Sequence, residues 1–116
     1  MQGRHGRLLR RLVLLLAVVM PPAALAQAAG GRFTDDQVER GREQYHRTCA
    51  QCHGRNMVNA GTTVYDLRRY PLDQVERFMT SVTQGKGSMP SFKDALTAEQ
   101  IELLWAYVGT RGGKER

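Results

Sequence analysis

Residues 49–53 read Cys49-Ala50-Gln51-Cys52-His53, and most of what can be said about the chain follows from this pentapeptide. Two cysteines three positions apart lie on one helical turn, so both thiols reach the same edge of a flat ring system. The histidine that follows can place its imidazole beneath a metal at the centre of that ring. The spacing therefore predicts a c-type haem, held by thioether bonds to Cys49 and Cys52 with His53 as an axial ligand.

Two other interpretations of a Cys-x-x-Cys pair are a redox disulfide and half of a zinc site. The redox motif is expected in a βαβ unit, and no strand–helix–strand alternation flanks the pair here. A zinc site needs further cysteine or histidine ligands at matching spacing. The chain has only these two cysteines, and His5 and His46 do not form a second half-site. The context favours covalent haem.

Residues 1–26 have the organisation of a secretory signal peptide that is cleaved before Gln27. An arginine-rich start is followed by the apolar run 12–20, two prolines and the small-residue site Ala24-Leu25-Ala26. The alternative is a retained membrane anchor, but a transmembrane helix needs about 20 apolar residues. The sequence therefore predicts export and a periplasmic location.

Loss of the leader changes the charge of the protein. The full chain has 17 basic and 11 acidic side chains, a net charge of +6. The leader contains four arginines and no acidic residue, so residues 27–116 carry a net charge of +2. Haem propionates would bring this close to zero, so nucleic-acid binding loses its electrostatic support. The remaining length predicts one small domain, residues 34–116, after a flexible N-terminus at residues 27–33.

Capping sequences and helical periodicity predict three main helices. The capping box at residues 34–37 opens the first helix, which should run to about Arg47. Val38, Gly41 and Tyr45 share one of its faces. Gly41 costs about 1 kcal/mol relative to alanine in mid-helix, which indicates that another backbone approaches closely there.

Pro71 opens the second predicted helix, and Gly85 is placed to end it in the left-handed helical region. A second capping box at residues 97–100 starts the third helix, which Gly109 ends. The apolar faces of these two helices are Val75, Phe78, Met79 and Val82, and Ile101, Leu104, Trp105 and Val108.

Residues 54–69 and 85–92 lack a helical period and are predicted loops. No segment alternates as a strand would. The predicted fold class is all-α, with three main helices and long loops wrapped around one covalently bound haem.

Met89 is the predicted sixth ligand of the iron. Pro90 keeps the preceding residue out of the helical region, so Met89 is presented on an extended loop. The alternative is an ordinary core or surface methionine beside a proline. Met79 lies on an apolar helix face and is expected in the core. Met57 follows His53 too closely to reach the opposite face of the ring.

These residues give the chain a resemblance to the class I cytochromes c, over residues 33–110. The resemblance rests on the attachment motif, on Ser88-Met89-Pro90, and on Gly41 and Tyr45 facing Leu104 and Trp105 across the terminal helices. A finer resemblance is to the small periplasmic cytochromes that accept electrons from pyrroloquinoline-quinone (PQQ) alcohol dehydrogenases. It lies in segments 65–71, 81–86 and 104–108.

The resemblance implies a soluble, monomeric carrier of single electrons with one haem c and no enzymatic activity. His53 and Met89 would be axial ligands in both Fe(III) and Fe(II). A quinoprotein alcohol dehydrogenase is the implied donor, and a terminal oxidase or another cytochrome the acceptor. Three alternatives stay open: a general shuttle between a bc-type complex and an oxidase or reductase, an open-site gas-binding or peroxidatic haem protein, and a domain tethered by its leader.

One departure from the family concerns the attachment histidine. Many members have a proline soon after it, whose carbonyl accepts a hydrogen bond from the imidazole Nδ1. This chain has no proline between His53 and Pro71. We expect a backbone carbonyl within residues 56–63 to orient the ring instead, because a ligating histidine needs such an acceptor.

Four basic residues are candidates for contacts around the predicted site. Arg68 and Arg69 are suited to bind haem propionates, or are solvated loop residues. Lys86 and Lys93 flank Met89 and are placed to steer an acidic partner, although the small net charge makes such steering modest.

Overall fold

The computed structural model describes residues 32–59, 61 and 63–115. The predicted signal peptide and residues 27–31 of the predicted flexible segment lie outside the described residues. Four α-helices are present: α1 (Asp35–Thr48), α2 (Ala50–His53), α3 (Val75–Gln84) and α4 (Ala98–Val108). Short 3-10 turns span Arg55–Met57 and Leu67–Arg69. This part of the chain has no β-strand beyond one bridge, so the all-α prediction is confirmed.

Both predicted capping boxes form. Thr34 Oγ1 accepts from the Gln37 N–H at 3.2 Å, and Gln37 Oε1 accepts from the Thr34 N–H at 2.9 Å. Thr97 and Gln100 make the same pair of bonds, at 3.2 and 2.9 Å. Each pair satisfies two backbone donors that a helix start leaves free, which stabilises the helix by about 1 kcal/mol.

The helices α1 and α4 cross at Gly41, as predicted, but with different partners. Gly41 meets the backbone of Leu103 and the Cβ of Tyr107, rather than Leu104 and Trp105. Residues 103 and 107 are four apart and share the helix face that α1 covers. Trp105 points elsewhere, and its ring lies 5.0 Å from that of Phe78 on α3.

The helix α4 is buried on nearly every side, because α1 covers one face and α3 another. The predicted face of this helix is buried, and so are three residues outside it: Leu103, Ala106 and Tyr107. Within the described part of the chain, no helix is both long and apolar enough to cross a membrane.

The prediction that α3 starts at Pro71 is wrong, because the helix begins at Val75. Residues 71–74 form a turn that the Gln74 N–H closes on Pro71 O at 3.2 Å. Gln74 itself has φ −111° and ψ 46°, outside the helical region, so the regular path starts only after it.

Gly85 ends α3 with a positive φ of 77°, but its ψ of 166° is extended rather than left-handed helical. The chain therefore leaves the helix straight into the next loop. A Cβ atom at this position would lie 2.7 Å from Met89 O and 2.8 Å from Ser91 N. Both the backbone angle and the lack of space require glycine here.

Candidate haem site

The attachment motif lies at the junction of α1 and α2. The Cys49 N–H donates to Tyr45 O at 2.8 Å and closes α1, and the His53 N–H donates to Cys49 O at 2.9 Å. Both thiols are free, with Cys49 half-buried against the core and Cys52 exposed. The structure thus presents two unpaired thiols one helical turn apart, as thioether attachment to one ring edge requires.

The surroundings of the two thiols bear on the zinc and redox interpretations. Burial, reinforced by the charge of Cys52, raises the pKa of the Cys49 thiol to about 12. Redox-active cysteines usually have a lowered thiol pKa, and the shift at Cys49 is in the opposite direction. Among the described residues, no group of three or more His, Cys, Asp or Glu side chains could bind a metal ion. The described residues therefore do not form a zinc site.

The imidazole of His53 is oriented by a backbone carbonyl. Its Nδ1 lies 3.0 Å from Tyr65 O. Since a carbonyl oxygen only accepts, Nδ1 carries the proton and donates it to this bond. In the neutral imidazole, the other ring nitrogen, Nε2, then has no proton and is the nitrogen that can bind a metal. A carbonyl acceptor was predicted, but within residues 56–63, so the predicted position is wrong.

The path of the loop explains why the acceptor comes later in the chain. Asn56 and Met57 have positive φ angles of 54° and 64°, which curl the chain after Gly54 into a 3-10 turn. Tyr45 Oη on α1 donates to Gly54 O at 2.8 Å and holds this turn in place. Among the described residues of the loop, Tyr65 is the one whose carbonyl reaches the His53 ring.

Met89 lies in the methionine loop (residues 85–92), half-buried against the core. The Lys86 N–H donates to Met89 O and the Met89 N–H donates to Lys86 O, both at 3.0 Å. The loop is therefore closed by a tight turn directly before Met89. Met79 is also half-buried against the core, but it lies on the helix α3, whereas Met57 is only 3 % exposed within the core.

Arg68 is already paired within the protein. Its Nε and Nη2 donate to the two carboxylate oxygens of Asp66, both at 2.9 Å. The hydrogen bond from this guanidinium holds the pKa of Asp66 below its ordinary value of 3.8. Arg68 was one of two candidates for binding a haem propionate, but its guanidinium already binds Asp66. Arg69, the other candidate, is exposed.

Sequence reasoning missed Arg111, which fastens the loop that carries Tyr65. Its Nη1 donates to Leu67 O at 3.3 Å and its Nη2 to Tyr70 O at 3.0 Å. No periodic pattern or motif marks this residue, because its partners are backbone carbonyls more than forty positions away in sequence.

Two surface cavities lie away from these residues. One of about 530 Å³ lies between Phe33 and the helices α3 and α4, and a neighbouring one of about 270 Å³ shares Phe33 and Trp105 with it. None of the four predicted site residues lines either cavity.

Comparison with protein families identifies the chain. The profile of the family described as "Cytochrome C oxidase, cbb3-type, subunit III" matches residues 36–108, which include the attachment motif and the methionine loop. The chain belongs to this family of c-type cytochrome domains.

Individual relatives of this cytochrome are of two kinds. The cytochrome c6 of Rippkaea orientalis is 38% identical over 100 residues, which cover 83% of this chain and 81% of that protein. The cytochrome c6 of Microcystis aeruginosa is 46% identical over 68 residues, covering 55% and 84%. Quinohemoprotein alcohol dehydrogenase ADH IIB of Pseudomonas putida is 34% identical over 101 residues, which cover 79% of this cytochrome and 14% of the dehydrogenase. No solved structure matches the chain.

Family membership confirms the predicted cofactor. This cytochrome carries one covalently bound haem c and functions in electron transport. The free thiols of Cys49 and Cys52 and the Nε2 of His53 fit that group, because they offer two attachment points and one nitrogen ligand.

Proposed function

We propose that this cytochrome is a periplasmic carrier of single electrons whose iron is bound by His53 and Met89. The hydrogen bond from His53 Nδ1 to Tyr65 O carries the proposal, because it leaves Nε2 as the iron-binding nitrogen. Cys49 and Cys52 would hold the haem by thioether bonds. The bound haem supplies a reversible Fe(III)/Fe(II) couple.

The protein residues set the conditions for that couple. The Tyr65 carbonyl fixes the orientation of the His53 ring and increases its basicity as a ligand. A thioether ligand, which Met89 would supply, would favour the reduced state of the haem iron and raise its reduction potential. Met89 suits this role because it is half-buried on a closed loop, whereas Met57 fills the core. Held in this way by the Tyr65 carbonyl and by the closed loop, His53 and Met89 would move little during electron transfer.

The proposed electron donor is a quinoprotein alcohol dehydrogenase, with a terminal oxidase or another cytochrome as acceptor. The similarity to the Pseudomonas putida quinohemoprotein alcohol dehydrogenase supports this donor, since most of this chain resembles one part of that protein. The cytochrome c6 relatives match along most of their own length, which also supports a general shuttle between a bc-type complex and an oxidase or reductase. Both schemes involve a monomeric carrier without enzymatic activity, exported by a cleaved leader at residues 1–26.

Optical spectra of the purified holoprotein test the ligand assignment. The oxidised protein should show the far-red charge-transfer band that iron–thioether bonding produces. Met89→Ala should abolish this band, and Met57→Ala should keep it. Loss of the band in Met57→Ala alone would contradict the assignment. A wild-type protein without the band that binds carbon monoxide avidly would instead be an open-site gas-binding or peroxidatic haem protein.

Reduction kinetics test the donor. The oxidised cytochrome is mixed with a purified quinoprotein alcohol dehydrogenase and alcohol, and its haem absorbance is followed. Rapid reduction that depends on both enzyme and alcohol supports the proposed donor. Absence of reduction, together with rapid reduction by a bc-type complex, would favour the general shuttle.

A further inference from the structure

We propose that Ser91 is a positioning residue that keeps Met89 at the iron by fastening the methionine loop to the end of α3. The inference rests on the proposed ligation by His53 and Met89. It extends that ligation to a side chain two residues beyond the ligand.

The methionine loop completes the C-terminal end of α3. A helix leaves its last four carbonyls without partners inside the helix. Three of these carbonyls in α3 accept hydrogen bonds from residues that follow the helix, and two of the three donors come after Met89. The bonds run from Gly85 N–H to Ser81 O (2.9 Å), from Phe92 N–H to Val82 O (3.0 Å) and from Ser91 Oγ to Thr83 O (2.6 Å).

Of these three hydrogen bonds, the one from Ser91 is donated by a side chain. Its hydroxyl donates to Thr83 O across eight positions of the sequence, so the bond closes the loop around Met89. The distance of 2.6 Å is at the short end of the range for hydroxyl–carbonyl bonds. The same oxygen accepts from the Lys93 N–H at 3.4 Å. One hydroxyl thus connects the helix end with the chain on the far side of the ligand.

Close packing transmits the position of Ser91 to Met89. The backbone of both residues lies against Gly85, where a Cβ atom would come within 2.8 Å of Ser91 N and 2.7 Å of Met89 O. The tight turn between Lys86 and Met89 fixes the other side of the ligand. Release of Ser91 from Thr83 would therefore loosen the loop on the side that follows Met89, while the turn still holds the other side.

The expected consequence is easier dissociation of Met89 from the iron. Loss of one intramolecular hydrogen bond typically changes an equilibrium constant by about fivefold to tenfold. The open state, in which Met89 has left the iron, should therefore become about fivefold more populated in Ser91→Ala. An external ligand that takes the vacated position reports this population directly.

The experiment titrates the ferric holoprotein with imidazole. Ser91→Ala should bind imidazole with an apparent Kd about fivefold lower than wild type, with a similar rise in the limiting rate at high imidazole. Ser88→Ala is the matched control, since Ser88 is exposed in the turn on the other side of Met89, and it should behave as wild type. Ser91→Thr retains the hydroxyl and should restore the wild-type affinity.

Separate outcomes distinguish the two proposals. If wild type lacks the charge-transfer band and Met89→Ala leaves imidazole binding unchanged, the proposed ligation fails. If wild type shows the band but Ser91→Ala binds imidazole as wild type does, the positioning role of Ser91 is wrong and the ligation stands. If Ser91→Ala lowers the midpoint of unfolding but leaves the imidazole affinity unchanged, the positioning role is also wrong.

If Ser91→Ala folds poorly, a second pair of variants tests the same hydrogen bond. Ser91→Thr and Ser91→Val have nearly the same shape and differ in the hydroxyl. Tighter imidazole binding in Ser91→Val than in Ser91→Thr supports the proposal, and equal binding refutes it.

Discussion

Gly41 packs directly against the backbone carbonyl of Leu103, and this contact sets how closely α1 and α4 approach. A Cβ atom at position 41 would overlap Leu103 O and lie 3.1 Å from Tyr107 Cβ. One turn further along α1, the Tyr45 ring lies 5.1 Å from the Tyr107 ring. Because α1 ends at the attachment motif, this crossing also determines where Cys49 lies relative to α4.

Gly41→Ala should lower the free energy of unfolding by at least about 2 kcal/mol. The added methyl group meets main-chain atoms, which cannot move aside as a flexible side chain can. This cost exceeds the roughly 1 kcal/mol that alanine gains over glycine in helix propensity. Guanidinium unfolding of the holoprotein measures the difference. Glu43→Ala, at an exposed position of the same helix, should stay within about 0.5 kcal/mol of wild type. A Gly41→Ala protein as stable as wild type would show that the helices can separate.

Arg111→Gln should destabilise the loop that carries the His53 acceptor. The substitution removes charged donors from Leu67 O and Tyr70 O, which should cost about 1–3 kcal/mol. Hydrogen exchange should show faster exchange of the amides in residues 67–70. Lys114→Gln, which removes an exposed positive charge nearby in sequence, is the control and should change neither quantity. Unchanged exchange in Arg111→Gln would mean that the loop is held by other contacts.

The Asp66–Arg68 pair should give a pH-dependent contribution to stability. The pKa of Asp66 is lower in the folded protein than its ordinary value of 3.8. The pair therefore stabilises the protein above that value, and the contribution is lost as the pH falls through the folded pKa. Arg68→Gln should raise the Asp66 pKa towards 3.8, as NMR titration of the carboxyl carbon would show. Arg69→Gln, which removes only a more distant charge, should raise it less.

Single cysteine variants should each keep haem by one bond. In Cys49→Ala or Cys52→Ala one vinyl group stays unsaturated, so the α band of the pyridine haemochrome should move to longer wavelength. The variant that lacks both thiols should lose its haem in acidified acetone, whereas wild type should retain it. Retention of haem by the double variant would contradict attachment through these thiols.

The capping boxes show what local sequence can predict. Thr34 with Gln37, and Thr97 with Gln100, form the expected reciprocal hydrogen bonds, because all partners lie within four consecutive residues. The start of α3 shows where local reasoning fails. Pro71 is compatible with a first helical turn, but the chain makes a separate turn at residues 71–74 before the helix begins.

The pentapeptide at residues 49–53 and the spacing of apolar residues determined the cofactor, the all-α class and the presence of the three main helices. These properties depend on side chains close together in sequence, so they can be read without knowing where distant segments meet. The tertiary structure alone decided that Tyr65 orients His53 and that Leu103 and Tyr107 meet Gly41. Contacts of this kind depend on the path of loops with positive φ angles and on close backbone approaches, for which the sequence carries no periodic signal.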